Sequence, residues 1–342
     1  MAISSWNAGI IRPVAVAPAG PFQDGAAPGV WTLDQVAFWV KQGLWPTAGN
    51  VNVRGLFGGG SAGSGRVNII DQISIGTTGN ATDFGDLSQV TNVLASCSSS
   101  TRGLFAGGNN NSGRINSIEY VTILSAGNAA DFGDLTAEFA RLGGLSNATI
   151  GIFASGETTA GALSNVIQYV TIASTGNATD FGDLLQTQYG LAGCASTTRG
   201  VFGGGTTNES TGINVIQYVT IATAGNSTDF GDLTTGRFAL ASCSSSTRGI
   251  WAGGAAGPSN IIDYVTIASA GNATDFGDLL VVDQYLAACS SSVRGVIGGG
   301  SESPTNVIQY ITIASTGNAL DFGDLTVARG GLAACSNGHG GL

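Results

Sequence analysis

The phrase NVIQYVTIASTGNATDFGDL, Asn165 to Leu184, is written six times in this chain with small changes. Its closing DFGDL begins at Asp83, Asp131, Asp180, Asp229, Asp275 and Asp321, so the copies follow one another at spacings of 48, 49, 49, 46 and 46 residues. Self-similarity at such a period means one supersecondary unit per copy, each covering its neighbour's apolar face, as in a propeller or a solenoid. A copy opens on a strand ending in glycines, such as RGLFGGG from Arg54 or RGVFGGG from Arg199, and passes through a variable loop to a long strand such as NVIQYVTIAS. The turn TGNATDFGDL, a second variable stretch and a short strand of small residues complete it. That makes about four strands, the content of a propeller blade.

In the long strand both alternating sets are mostly apolar: Val166 and Val170 on one side, Ile167, Tyr169 and then Ile172 across the pleat. A strand apolar on both faces has to be covered on both, which stacked blades achieve. The first copy enters without a small-residue strand, while the chain ends on a surplus one, Gly330 to Ser336 (GGLAACS). The two ends complement each other. The expectation is an all-β, six-bladed propeller of four-stranded blades over residues 51–342, closed when the C-terminal strand pairs into the first blade and removes its free edge.

On these residues the chain resembles the kelch-repeat and galactose-oxidase-like propellers: the glycines at 58 to 60 and 203 to 205, the central Tyr169 and Tyr218, and Phe181 and Phe230 where those families usually carry Trp. The resemblance implies architecture and carries no activity with it.

Composition narrows the function. Twelve basic against 22 acidic residues give a net charge of −10, which opposes broad attraction to nucleic acid or to an anionic membrane, so neither is an expected partner. No run of 18 apolar residues is present to span a bilayer, and the N-terminus lacks the basic start and apolar centre of a secretory signal, so production in a cytoplasm is expected. The five cysteines, Cys97, Cys194, Cys243, Cys289 and Cys335, occupy one repeat position, with Leu145 in the sixth copy; this suits buried thiols rather than disulfides or a metal cluster.

Residues 1–50 stand outside the repeat. Thr32 and Gln35 form a capping box, and Gly43 with Pro46 supplies a stop, which predicts a short helix near Leu33 to Gln42. Leu33, Val36, Ala37, Val40 and Leu44 share a stripe that leaves Phe38 and Trp39 on the other side. The phrase GVWTLDQVAFWVKQGLWP, with the lead RPVAVAPAGPF, resembles segments of structural and tail-associated proteins of tailed bacteriophages. That resemblance implies a virion component, assembled in a host cytoplasm, whose attachment arm docks other virion proteins through Trp31, Phe38, Trp39 and Trp45. Packing of the arm against the propeller itself is the alternative, and a homo-oligomer is compatible with either.

Candidate sites fall into three sets. The Asn-x-x-Asp-x-x-Asp spacing of the turns, for example Asn177, Asp180 and Asp183, offers oxygen ligands for Ca²⁺ but also the side-chain bonds that shape turns; no metal site or cofactor is assigned. An arginine precedes the glycine strand in five copies (Arg54, Arg102, Arg199, Arg248, Arg294, with Ile150 in the other), suggesting ion pairs with repeat aspartates or, less directly, an axial anion site. The third set lies on one end of the ring, where two loops per copy vary while the turns at the other end hardly change. Loops on a rigid scaffold commonly carry binding. This end offers Phe139, Arg141, Tyr189, Arg237, Phe238, Tyr285 and Arg329, aromatic and planar polar groups suited to a host surface glycan or a neighbouring protein.

A single histidine, His339, and five glutamates with no pair marked by spacing argue against catalysis. The expected function is therefore a non-enzymatic virion structural or host-recognition protein. A polysaccharide hydrolase or lyase and a kelch-type interaction scaffold are the alternatives.

Overall fold

The structure, a computed structural model, describes residue 34 and residues 53–256, 259–301 and 305–342. The expected helix over Leu33 to Gln42 and the docking residues Trp31, Phe38, Trp39 and Trp45 lie outside the described residues. Residues Arg54–Leu342 form one compact unit in which every regular element is a β-strand.

The strands build small antiparallel sheets in a propeller-like arrangement. Four sheets are separate and four-stranded. The first joins Ala333–Ser336, Arg54–Gly58, Ile69–Ser74 and Thr82–Asp86 in that order; the others run consecutively over Ala192–Asp232, Ala241–Asp278 and Ala287–Asp324. The terminal strand completes the first sheet in a definite register, Gly55 opposite Ser336, Leu56 opposite Cys335 and Gly58 opposite Ala333. Ends distant in sequence are thereby hydrogen-bonded in one sheet, so the glycine-ended strand has no free edge.

The expected six separate four-stranded blades are corrected at copies two and three, which share one nine-stranded sheet, leaving four separate blades. The cause is local. Strand Ala130–Ala140 continues well past its DFGD phrase, and strand Ile150–Thr158 continues past Ala154, so that Phe139 pairs with Thr158 and Ala140 with Glu157. These two pairings are the whole bridge between Ala95–Ala140 and Gly143–Gln188, each of which otherwise carries the same four-strand ladder as the separate blades.

Apolar clusters lie between successive copies rather than within one. Ile70, Phe84 and Leu87 of the first copy, for instance, pack with Phe105, Val121 and Ile123 of the second. This is the packing that strands apolar on both faces require. Polar groups also bond across the same seams. In all six copies the turn asparagine accepts a hydrogen bond from the second aspartate's amide in the preceding copy, from Asn128 Oδ1 with Asp86 N at 3.0 Å round to Asn80 Oδ1 with Asp324 N at 3.1 Å. The asparagines of the candidate calcium spacing are thus seam bonds.

Among the described residues, the recurrent arginines are not seen paired with repeat aspartates as expected. Arg102, Arg199, Arg248 and Arg294 stack on the tyrosine of their own copy, 4.3 to 4.6 Å from the ring centroid, and donate to a carbonyl of the next: Ile172, Ile267, Ile313 and Ile75. A planar guanidinium satisfies both demands, lying flat on an aromatic face while its edge donates.

Candidate functional site

The six short strands line a central channel, and its mouth on the variable side is built from one repeat position. Val93, Arg141, Gly190, Ala239, Tyr285 and Gly331 each stand immediately before the leucine that precedes a short strand. Their backbones close a ring: the N–H of Val93 donates to Gly331 O, Arg141 to Val93, Gly190 to Arg141, Ala239 to Gly190, Tyr285 to Ala239 and Gly331 to Tyr285, at 2.6 to 2.9 Å. Forming it holds all six residues in the left-handed region, at φ of 48°, 62°, 70°, 53°, 56° and 67°. Glycine adopts that conformation freely, as at 190 and 331, whereas a side chain there costs of order 1–3 kcal/mol. Arg141 and Tyr285 are nonetheless placed there, three positions apart in a ring of six and so across the mouth from each other.

Behind the ring Leu94, Leu142, Leu191, Leu240, Leu286 and Leu332 form a collar, and the shallow cavity enclosed is about 70 Å³. Beyond the collar lies a second cavity of about 120 Å³ between the small residues of the short strands. At the far end the C-terminal residues lie across it: His339 Nε2 donates to Ser98 O at 3.0 Å, Gly340 N to Ser244 O at 3.0 Å, and Gly341 N to His339 Nδ1 at 3.1 Å.

Arg141 is the best-supported cation of the mouth. Its guanidinium lies 5.0 Å from the Tyr189 ring centroid, and its Nη1 meets Glu209 Oε1 at 2.5 Å and Glu157 Oε2 at 3.8 Å. Glu157 is also bound by Arg114 at 2.5 Å. The neighbours leave their mark on protonation. Hydrogen bonding to Arg141 and its charge hold Glu209 below the usual carboxylate range, while desolvation and then Glu209 push the Tyr189 phenol up to about 12.

Of the seven residues expected on this face, only Arg141 and Tyr285 reach the mouth, both half-buried. Phe139, Tyr189 and Phe238 are 3 to 5% exposed and belong to the packing beneath; Tyr189 orients Arg141 rather than offering a free ring. Arg237 and Arg329 are buried. Arg329 pairs with Asp71 at 2.9 Å and Arg237 with Asp263 at 2.6 Å, each reaching from the loop of one copy to the long strand of the next. The sequence held a signal for this. At the long-strand position Asp71, Glu119, Gln168, Gln217, Asp263 and Gln309, aspartate occurs only where the preceding loop supplies Arg329 or Arg237. The loop residues opposite the other four are Thr91, Phe139, Gln188 and Asp283.

Among the described residues no group of three or more histidine, cysteine or acidic side chains is placed to hold a metal, and the five thiols are buried and unpaired. No protein-family model and no curated protein matches this sequence.

Proposed function

We propose that the protein is a non-enzymatic recognition module, a ring of six repeat wedges whose variable-side mouth binds a saccharide through Arg141 and Tyr285. The observation carrying this reading is the presence of those two large polar side chains at strained positions where two other copies carry glycine and two carry only Val93 and Ala239. Position-specific strain kept at a cavity mouth, with collar leucines below to meet the C–H face of a sugar ring, is the arrangement of a binding site. Six wedges follow from the six-membered mouth ring if the nine-stranded sheet is counted as two blades.

A binding role is supported over hydrolysis by the state of the described glutamates. A glycosidase needs one carboxyl held protonated and a second free to act opposite it. Here Glu157 and Glu209 are both paired with arginine, Glu209 titrates low, Glu119 is buried and accepts from Ser88, and Glu138 accepts from Thr159. The virion setting belongs to this proposal through the resemblance of residues 1–50, which would hold the ring on a particle.

The test is a glycan array probed with the full chain and with R141A and Y285A. Binding retained at wild-type strength by both variants would overturn the mouth as the site. Particle incorporation unaffected by deletion of residues 1–50 would overturn the attachment role.

A further inference from the structure

Resting on that reading, we infer that the mouth is specific for sugars bearing a carboxylate, and that Glu209 occupies the carboxylate's place until such a ligand displaces it. Arg141 does not depend on Glu209 for its position. Its backbone is fixed by the ring, through its N–H to Val93 O and its C=O from Gly190 N, and its guanidinium lies on the Tyr189 ring. Glu157, itself anchored by Arg114, lies 3.8 Å from the guanidinium. Removing Glu209 would therefore leave a stacked, oriented arginine at the mouth rather than a collapsed one.

Glu209, bonded to Arg141 and to the Tyr189 hydroxyl, is the more exposed partner. Its side chain is 64% exposed, and it sits in the variable loop between Gly203 and Val215 at a left-handed φ of 60°. Both carboxylates that touch Arg141 use the same nitrogen, Nη1. An arginine fork recognises a carboxylate best through two parallel bonds, so an incoming carboxylate that engages Nη1 and Nη2 together replaces a one-nitrogen contact with a two-nitrogen one. The ligand's ring would lie over the leucine collar, with Tyr285 across the mouth. The chain's net charge of −10 gives no general attraction to anions, so selectivity for the carboxylate rests on Arg141 alone.

The experiment compares D-glucuronate with D-glucose, which share a ring and differ at one carbon, by ligand-observed NMR titration of the full chain at pH 7. N-acetylglutamate serves as a carboxylate without a sugar. We expect glucuronate to bind wild type more tightly than glucose or N-acetylglutamate, E209Q to strengthen glucuronate at least tenfold with little effect on glucose, and R141Q to abolish the preference. Equal binding of glucuronate and glucose, unchanged in E209Q, would overturn the carboxylate specificity while leaving the saccharide reading intact. N-acetylglutamate binding as well as glucuronate would overturn it in favour of an acidic peptide. Failure of both sugars to bind wild type and E209Q would overturn this inference, and the array above would then decide the broader reading separately.

Discussion

The thiol of Cys335 lies against Gly103 of the neighbouring copy, where a Cβ built on the glycine would stand 2.7 Å from the sulfur. The same relation recurs between Cys289 and Gly55, Cys194 and Gly249, and Cys243 and Gly295, while Leu145 meets Gly200. One small residue and one medium apolar residue therefore mate across the seams. Burial pushes each thiol up, Cys194 beyond the ordinary range and Cys335 to about 12, so these sulfurs act as packing atoms rather than nucleophiles.

We expect Gly103→Ala to destabilise the protein by about 1–3 kcal/mol through overpacking. Cys335→Ala alone should cost about 1–2 kcal/mol by leaving a small void. Combined, the two should be less harmful than their sum, because the alanine methyl enters the space the sulfur left. Denaturant unfolding of the four members of this cycle measures the coupling; strict additivity would mean the seam does not work this way.

Arg329 and Asp71 give a sharper case, because both are fully buried. Asp71→Asn or Arg329→Met should cost about 3–5 kcal/mol by stranding the remaining charge. The same chain shows that a neutral pair is tolerated here, since Gln188 and Gln217 occupy the equivalent buried positions three seams away. The double substitution Arg329→Gln with Asp71→Gln should recover most of the loss, read as a melting temperature within a few degrees of wild type.

What the sequence made legible and what it hid follow from this packing. Period, strand content and the pairing of the terminal strand were readable because they depend on patterns of small and apolar residues repeated six times. The fused sheet was not, because it turns on how far two strands extend past Asp134 and Ala154, a matter of loop conformation rather than composition. The arginines misled because charge suggests exposure: Arg329 and Arg237 sit in loops yet point inward to aspartates that only a comparison of copies reveals. The mouth ring was hidden for a different reason. Val, Arg, Gly, Ala, Tyr and Gly share no chemistry, only a left-handed backbone.

Loss of the terminal strand should be severe. Truncation after Val327 removes the partner of Arg54–Gly58 and leaves the first sheet with an open, apolar edge. We expect such a chain to aggregate or to unfold in more than one step. A single cooperative melt at the wild-type temperature would show that the terminal strand contributes nothing to closure.

His339 should make stability depend on pH. Desolvation holds its imidazole below the ordinary value, outweighing the bond to Ser98 O, and Nδ1 must stay unprotonated to accept from Gly341 N. Because its folded pKa is depressed, the unfolded chain binds the extra proton first as pH falls. Stability is therefore full above about pH 6.5, the unfolded value, and declines below it toward the folded pKa. Melting temperatures at pH 7.5 and 5.5 should differ for wild type and converge in His339→Gln; an equal drop in both would assign the effect to other groups.

Tyr285 offers a test that separates binding from architecture. Its φ of 56° is imposed by the mouth ring, which Gly190 and Gly331 satisfy without a side chain. In Tyr285→Gly, relief of backbone strain of order 1–3 kcal/mol offsets the lost packing of a half-buried ring on Phe238 and Ala239. The melting temperature should accordingly move by only a few degrees while saccharide binding falls at least tenfold. A tyrosine kept for architecture alone would give the opposite pattern, with a large loss of stability and binding unchanged per folded molecule.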